Sequence, residues 1–252
     1  MAHFETALIT GASSGLGYAI ALELARSGTK TFALIARRTE PLAALAVELE
    51  SLGATARVVQ LDVSQHDELI ESIRELDKEL GGFDLVLANA GVGSSGPALQ
   101  VEFDALRNTI NVNVLGAMAT IMAVLRPMAK RKRGTLAGMS SIAGQRGLPG
   151  SGAYSASKSA LSTWLDTLRA DISKTGVRVT DIRPGFVKTP MTDKHTFKMP
   201  FLVDLDVAAR RCVRDLERGK AVCTFPAPMA WLLWTLRRLP DWIWRAAAKR
   251  IG

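Results

Sequence analysis

A phenol and an ammonium stand four residues apart in Tyr154-Ser-Ala-Ser-Lys158, at the start of a long helical pattern that puts both on one face. A free tyrosine titrates near pKa ~10 and needs a nearby cation before it can exchange protons usefully at neutral pH, and Lys158 is spaced to be that cation. A Tyr-x3-Lys spacing alone is most often a solvated helix face, so its companions decide. Upstream, Ser141 lies in Gly138-Met-Ser-Ser141-Ile-Ala-Gly144 at the end of an apolar strand, where a hydroxyl faces ligands bound beyond the strand ends. The plainer reading of Ser141 is a strand-end hydroxyl with no chemical task.

A second constellation opens the chain. A strand-like Thr6-Ala-Leu-Ile-Thr10 runs into Thr10-Gly11-Ala-Ser-Ser-Gly15-Leu-Gly17 and then a helical pattern. Strand, glycine turn and helix together cradle a pyrophosphate: Gly11 for the tight turn, Gly15 for close backbone approach, Gly17 for helix packing, and the helix N-terminus for unpaired N–H groups and a positive dipole. Gly11, Ser13, Ser14, Gly15, Leu16 and Gly17 are therefore the expected phosphate site. The second strand ends in Ala36-Arg37-Arg38, where a site for the unphosphorylated dinucleotide would carry an acid for the ribose 2′-hydroxyl. A guanidinium instead pairs with a 2′-phosphate, so the expected cofactor is NADP(H), with Arg37 the preferred clamp and Arg38 either a second contact or a solvated neighbour.

Elements of alternating period must carry these residues. Short apolar runs at Thr6–Thr10, Thr31–Ile35, Ala56–Gln60, Asp84–Ala88, Thr135–Met139, Val177–Ile182 and Ala221–Phe225 read as strands. Between them, Gly15–Ser27, Glu40–Leu52, Asp67–Leu80, Phe103–Lys130, Ala153–Thr175 and Val207–Arg218 read as helices. Apolar strands alternating with helices predict an α/β, doubly wound Rossmann-type parallel sheet of about seven strands with helices on both faces, and ligands at the strand carboxyl ends. One domain is expected, with residues 1–225 as its body and 226–252 as a C-terminal amphipathic helical extension.

With Asn111-Val-Asn113-Val-Leu-Gly116 added, the chain resembles the short-chain dehydrogenase/reductase family in its compact single-domain form. The matched features run in order: the Thr10 to Gly17 loop, Asp62, Asn89-Ala-Gly91, Asn113, Ser141, Tyr154, Lys158 and Pro184-Gly-Phe-Val-Lys-Thr189. Ala88 departs from the family, which usually has a second asparagine there. The resemblance implies that Asp62 contacts the adenine and that Asn89 and Gly91 flank the adenosine ribose. It further implies that Val187 with Thr189 holds the nicotinamide carboxamide, Pro184 and Gly185 belonging to the same site. For a carbonyl substrate, Tyr154 is then the general acid, Ser141 hydrogen-bonds the developing oxyanion, Lys158 lowers the Tyr154 pKa and binds the nicotinamide ribose, and Asn113 holds a proton-relaying water. A buried helix amide is the plainer alternative for Asn113. A mobile substrate loop is expected over 190–202, with His195 in it as a loop residue or a substrate contact. A homodimer or homotetramer packed through the helices around Phe103–Lys130 and Ala153–Thr175 is implied as well.

The chain's 252 residues, 48% hydrophobic with two cysteines, exclude disorder and a disulfide scaffold; Cys212 and Cys223 read as reduced, buried thiols, and no metal is expected. The net charge of +8 invites an anionic partner. The start has no basic leader and no stretch reaches spanning length, so a cytoplasmic protein is expected. Nucleic acid is not expected, because the basic cluster Arg126, Lys130 to Arg133 lacks interleaved aromatics. A catalytically silent NADP(H) sensor is the main alternative function, and an epimerase or imine reductase would use the same residues. The tail after Phe225 holds four of the five tryptophans, and between 237 and 250 five basic residues stand against Asp241. Pro240 should split it into two short helices. These either fold back over the substrate cleft or onto another subunit, lie at a membrane interface facing the cytoplasm, or are disordered; the first two imply a lipophilic carbonyl or alcohol substrate.

Overall fold

The computed structural model describes residues 3–93, 96–190, 192 and 199–248. A single seven-stranded sheet, parallel throughout, has the order β3-β2-β1-β4-β5-β6-β7. Its strands are β1 (Thr6–Thr10), β2 (Thr31–Ala36), β3 (Thr55–Gln60), β4 (Leu85–Ala88), β5 (Thr135–Met139), β6 (Arg178–Pro184) and β7 (Val222–Phe225). The helices are α1 (Gly15–Arg26), α2 (Thr39–Ser51), α3 (His66–Glu79), α4 (Phe103–Ile110), α5 (Ala117–Arg131), α6 (Gly152–Asp171), α7 (Leu205–Glu217), α8 (Ala227–Arg238) and α9 (Asp241–Ala248).

The period of two along each strand divides the core. Ile9, Phe32 and Leu34 point to one face, with Leu24 of α1, Leu45 of α2 and Cys212 of α7. Their neighbours Leu8, Ala33 and Ile35 point to the other, with Ile73 of α3, Val124 of α5 and Leu165 of α6. Both faces are covered, which is why these strands read as continuous apolar runs. Strand order reverses between β1 and β4, and the crevice at their carboxyl ends receives everything described below.

The expected helix over Phe103–Lys130 is one continuous run, Phe103–Arg131, but its winding is not uniform. Residues Asn111–Gly116 form a wide π-helical turn between α4 and α5. The turn draws Asn113 inward, and Gly116 packs so tightly on the loop after β3 that a Cβ would lie 2.8 Å from the Val63 carbonyl oxygen. A His66 ring nitrogen sits 3.1 Å from the Asn111 carbonyl, satisfying a group that the wider turn would leave over. The run Phe103–Arg131 is long and apolar enough to cross a membrane by length and composition, contrary to expectation, yet most of it is buried in this fold. Of the basic cluster that follows, Arg131 makes a forked ion pair with Asp77 at 2.8 and 3.0 Å, and Lys132 ends α5 in the left-handed region.

Pro240 separates α8 from α9 as the sequence predicts. The first of these packs on β7 and on the short 3-10 turn Ile142–Gly144, so the tail folds back on the domain. Of the expected substrate loop, only Pro190, Thr192 and 199–202 lie within the described residues; His195 lies outside them.

Candidate active site

The crevice is a cavity of about 340 Å³ whose floor is the glycine loop and whose far wall is the loop after β6. Thr10 and Asn89 fix the floor. The Thr10 hydroxyl oxygen accepts from the backbone N–H groups of Asn89 and Ala90, and the Asn89 amide donates to the carbonyls of Thr10 and Gly11 at 3.0 and 3.2 Å. A side chain at Gly17 would stand 2.3 Å from that amide nitrogen, and one at Gly11, where φ is +67°, would stand 2.7 Å from Ala90 Cα. Gly17 thus works from behind the loop and does not line the cavity, whereas Gly11, Ser13, Ser14, Gly15 and Leu16 do. Asn89 lines the cavity too, although its amide is spent on the loop.

No side chain caps the N-terminus of α1 at Ser14, which leaves its first-turn N–H groups to face the crevice. The Arg38 guanidinium lies over the same loop, donating to Ser14 Oγ at 2.7 Å, Ser13 Oγ at 3.1 Å and the Ser13 carbonyl at 3.4 Å. Arg37 also lines the crevice but is 3.6 Å from Asp62 Oδ2. Arg38 is thus the guanidinium held at the phosphate loop, and Arg37 the one beside Asp62. Burial pushes the Asp62 carboxyl up, but hydrogen bonds from the Ser64 N–H and hydroxyl, together with Arg37, outweigh it and leave the group below its ordinary value. Uncapped helix, guanidinium and elongate crevice form a donor set that suits a phosphorylated nucleotide.

At the other end, α6 begins two residues before Tyr154 and carries Tyr154 and Lys158 to the rim of β5. The Lys158 ammonium is buried, donates to the Met139 carbonyl at 2.7 Å and lies 5.7 Å from the centre of the Tyr154 ring. Burial lowers its pKa to about 8, and the charge of Asp181 partly opposes that shift. Burial pushes the Tyr154 phenol above its ordinary value, and a hydrogen bond with Ser141 pulls it back. The ammonium is turned to Met139, and desolvation of the phenol is the larger effect on Tyr154. Ser141 Oγ also accepts from Ala143 N at 3.1 Å and lies 3.3 Å from the Pro184 carbonyl.

Asn113 is fixed by its side chain. Its Oδ1 accepts from Val92 N at 2.8 Å, and its amide donates to the Val92 carbonyl at 2.9 Å and to Ser157 Oγ at 3.0 Å. A buried amide must be satisfied internally, and this one joins the loop after β4 to α6. Gly91 lies between: a Cβ there would come within 3.4 Å of both Asn113 Oδ1 and Lys158 Nζ. On the β6 side, Pro184, Gly185, Val187 and Thr189 all line the crevice as expected, joined by Thr192, whose hydroxyl oxygen lies 2.8 Å from the Thr189 N–H and 2.8 Å from the Val187 carbonyl.

Two groups escaped the sequence reading. Asp181 is fully buried in β6, hydrogen-bonded to the Ser140 hydroxyl and paired with Arg183 Nε at 2.6 Å. An acid between Arg178 and Arg183 in the sequence of a central strand was the available signal. The second group is an apolar cluster of Ile142, Leu148, Phe186 and Met229, which follows directly on Ser141 and uses α8 as its outer wall. Arg146 closes its edge against α9, 3.0 Å from Asp241 and 5.2 Å from the centre of the Trp244 ring.

The family model described as short chain dehydrogenase matches residues 5–199. An uncharacterized oxidoreductase of Myxococcus xanthus (strain DK1622) is 48% identical over 248 residues, 98% of either chain. An alcohol dehydrogenase from the archaeon Thermococcus sibiricus, solved in complex with 5-hydroxy-NADP, is 30% identical with a TM-score of 0.78, covering 88% of this chain and 94% of that one. A short-chain dehydrogenase from Sphingobium yanoikuyae in complex with NADPH superposes with a TM-score of 0.83 over 98% of this chain and 96% of its own; at 24% identity the likeness is one of fold.

Proposed function

The chain belongs to the short-chain dehydrogenase family and is an oxidoreductase of that family, and on this premise we propose that it uses NADP(H) to interconvert a lipophilic carbonyl compound and its alcohol. The observation that carries the proposal is the convergence of two donor sets on one crevice: Arg38 with the open end of α1 at one end, Ser141 with Tyr154 and Lys158 at the other. The bound NADP(H) relatives support the cofactor half. The loop Gly11 to Leu16 would hold the pyrophosphate, Arg38 with Arg37 the 2′-phosphate, Asp62 the adenine, Asn89 and Gly91 the adenosine ribose, and Pro184, Gly185, Val187 and Thr189 the far end. When bound, the reduced nicotinamide supplies the hydride that a carbonyl carbon accepts.

The chain's own residues manage the proton. Tyr154 is protonated throughout the neutral range and gives its phenolic proton to the oxygen as charge develops there; in the reverse direction it takes the proton back. Ser141, already hydrogen-bonded to that phenol, steadies the same oxygen. Lys158, charged below about pH 8, favours the phenolate that remains. Asn113 fixes the loop that carries Gly91 against α6, and it is the residue that would hold a proton-relaying water.

Chain length is the specificity proposed. A substrate whose oxygen meets Ser141 and Tyr154 places its remainder against Ile142, Leu148, Phe186 and Met229, none of which offers a hydrogen bond from its side chain to a sugar. Exposed Phe103, Ile110, Leu115 and Met122, spaced seven apart in pairs on α4, the π turn and α5, support the further reading that a second copy packs there. NADPH oxidation should be followed over a series of straight-chain methyl ketones. Catalytic efficiency should climb with chain length; equal efficiency across the series, or preference for a polyhydroxylated carbonyl, would refute the lipophilic assignment.

A further inference from the structure

We propose that the outer face of α8, continued by α9, docks the protein onto an anionic lipid surface. Met229 is buried against the apolar cluster, and helical geometry then decides what faces outward. Trp231, Trp234 and Arg238 follow at intervals of three and four residues, forming one stripe on the side of α8 opposite Met229. Trp231 is 69% and Trp234 49% exposed, with Leu232 beside them at 44%. Arg238 lies 3.6 Å from the centre of the Trp234 ring, so the stripe ends in a guanidinium stacked on an indole. On α9, Trp242 is 70% exposed.

Composition matches the exposure. The 237–250 segment carries five basic residues and one acid, within a chain that is already at +8. Indoles prefer the headgroup level of a bilayer, where the ring meets acyl chains and its N–H meets water, and basic side chains beside them are drawn to anionic lipid. A second copy of the chain would bring two such basic segments together, while an anionic bilayer neutralises the one. A separate exposed apolar face lies on α4, the π turn and α5, where the second copy is proposed to pack. The inference is independent of the proposed reaction.

Four of the five tryptophans lie in the tail, so emission from the intact protein reports on it directly. The full chain should be mixed with vesicles of phosphatidylcholine alone and of phosphatidylcholine with roughly one third phosphatidylglycerol, then sedimented and examined by fluorescence. Co-sedimentation with a blue shift is expected on the anionic vesicles only, weakening as salt rises. The double variant Trp231→Ser, Trp234→Ser should lower partition on the order of tenfold or more. Arg238→Glu tests the same stripe without removing an apolar group, and circular dichroism checks that both variants are folded. No binding to anionic vesicles, or equal binding to neutral ones, overturns the proposal. So does light scattering in which wild type is a dimer, Trp231→Ser, Trp234→Ser is a monomer, and neither binds vesicles.

Discussion

The two ends of the crevice are built on opposite principles. At the glycine loop every side-chain amide and hydroxyl of Thr10 and Asn89 is committed to another backbone segment, and two glycines sit where a Cβ would strike backbone or an amide at less than 3 Å. At the substrate end, the wall is an apolar patch of four side chains drawn from three separate segments, closed at its edge by an ion pair whose acid, Asp241, is 81% exposed. A shared cofactor demands a fixed mould, whereas a substrate wall needs only the right volume and polarity. The first is therefore written into local spacing, and the second into residues far apart in the chain.

The sharpest way to separate the ends is Tyr154→Phe. Turnover should fall by about 10²- to 10⁴-fold, the usual contribution of a positioned general acid, while NADPH affinity measured by fluorescence titration stays close to wild type. Turnover within tenfold of wild type would break the assignment of the proton step. Arg38→Ala probes the opposite end. Loss of a guanidinium fixed by Ser13 and Ser14 should weaken NADPH binding by roughly tenfold to a hundredfold and leave NADH binding nearly unchanged. A larger loss in Arg37→Ala than in Arg38→Ala would favour the ranking that the sequence suggested.

That ranking shows where sequence reading stops. The βαβ rhythm, the loop from Gly11 to Gly17 and the order Ser141, Tyr154, Lys158 were legible because each depends on period or spacing along the chain. The choice between adjacent Arg37 and Arg38 depends on which guanidinium reaches Ser13 and Ser14 in space, and both have the same local context. Asn113 was visible as a residue but its side-chain partners were not, because the π turn that draws it to Val92 and Ser157 leaves the helical pattern of Phe103–Lys130 intact. The substrate wall was invisible as a cluster, since Met229 joins Ile142 and Phe186 only after the tail folds back. Asp181 read as part of a strand; its burial behind Ser140 needed the sheet.

Asp181 also sharpens the comparison, because it is buried in β6 outside the crevice and acts on Lys158 through charge. Lys158 titrates at about 8, with burial the main cause and Asp181 working against it. A lysine is charged below its pKa and neutral above it, so carbonyl reduction should be sustained below about pH 8 and decline as pH rises through that value. Asp181→Asn removes the opposing charge, and the declining limb should move to lower pH. Near pH ~8 the variant should be a few-fold to tenfold slower, while at pH ~6 the two rates should converge. A merely structural defect would lower the rate equally at every pH, and that result would remove Asp181 from the electrostatics of the site.

The smallest effect is expected at the edge of the substrate wall. Arg146 pairs with an exposed carboxylate and stacks over Trp244, and contacts of both kinds on a protein surface are each worth about 1 kcal/mol or less. Arg146→Ala should therefore raise KM for long-chain ketones by roughly twofold to tenfold and leave short-chain ketones and NADPH affinity alone. The asymmetry matters more than the size, because only a substrate long enough to pass Leu148 meets the segment that Arg146 holds in place. An equal rise for short and long ketones would mean that Arg146 stabilises the site as a whole, and the division between a fixed cofactor mould and an adjustable substrate wall would fail at its boundary.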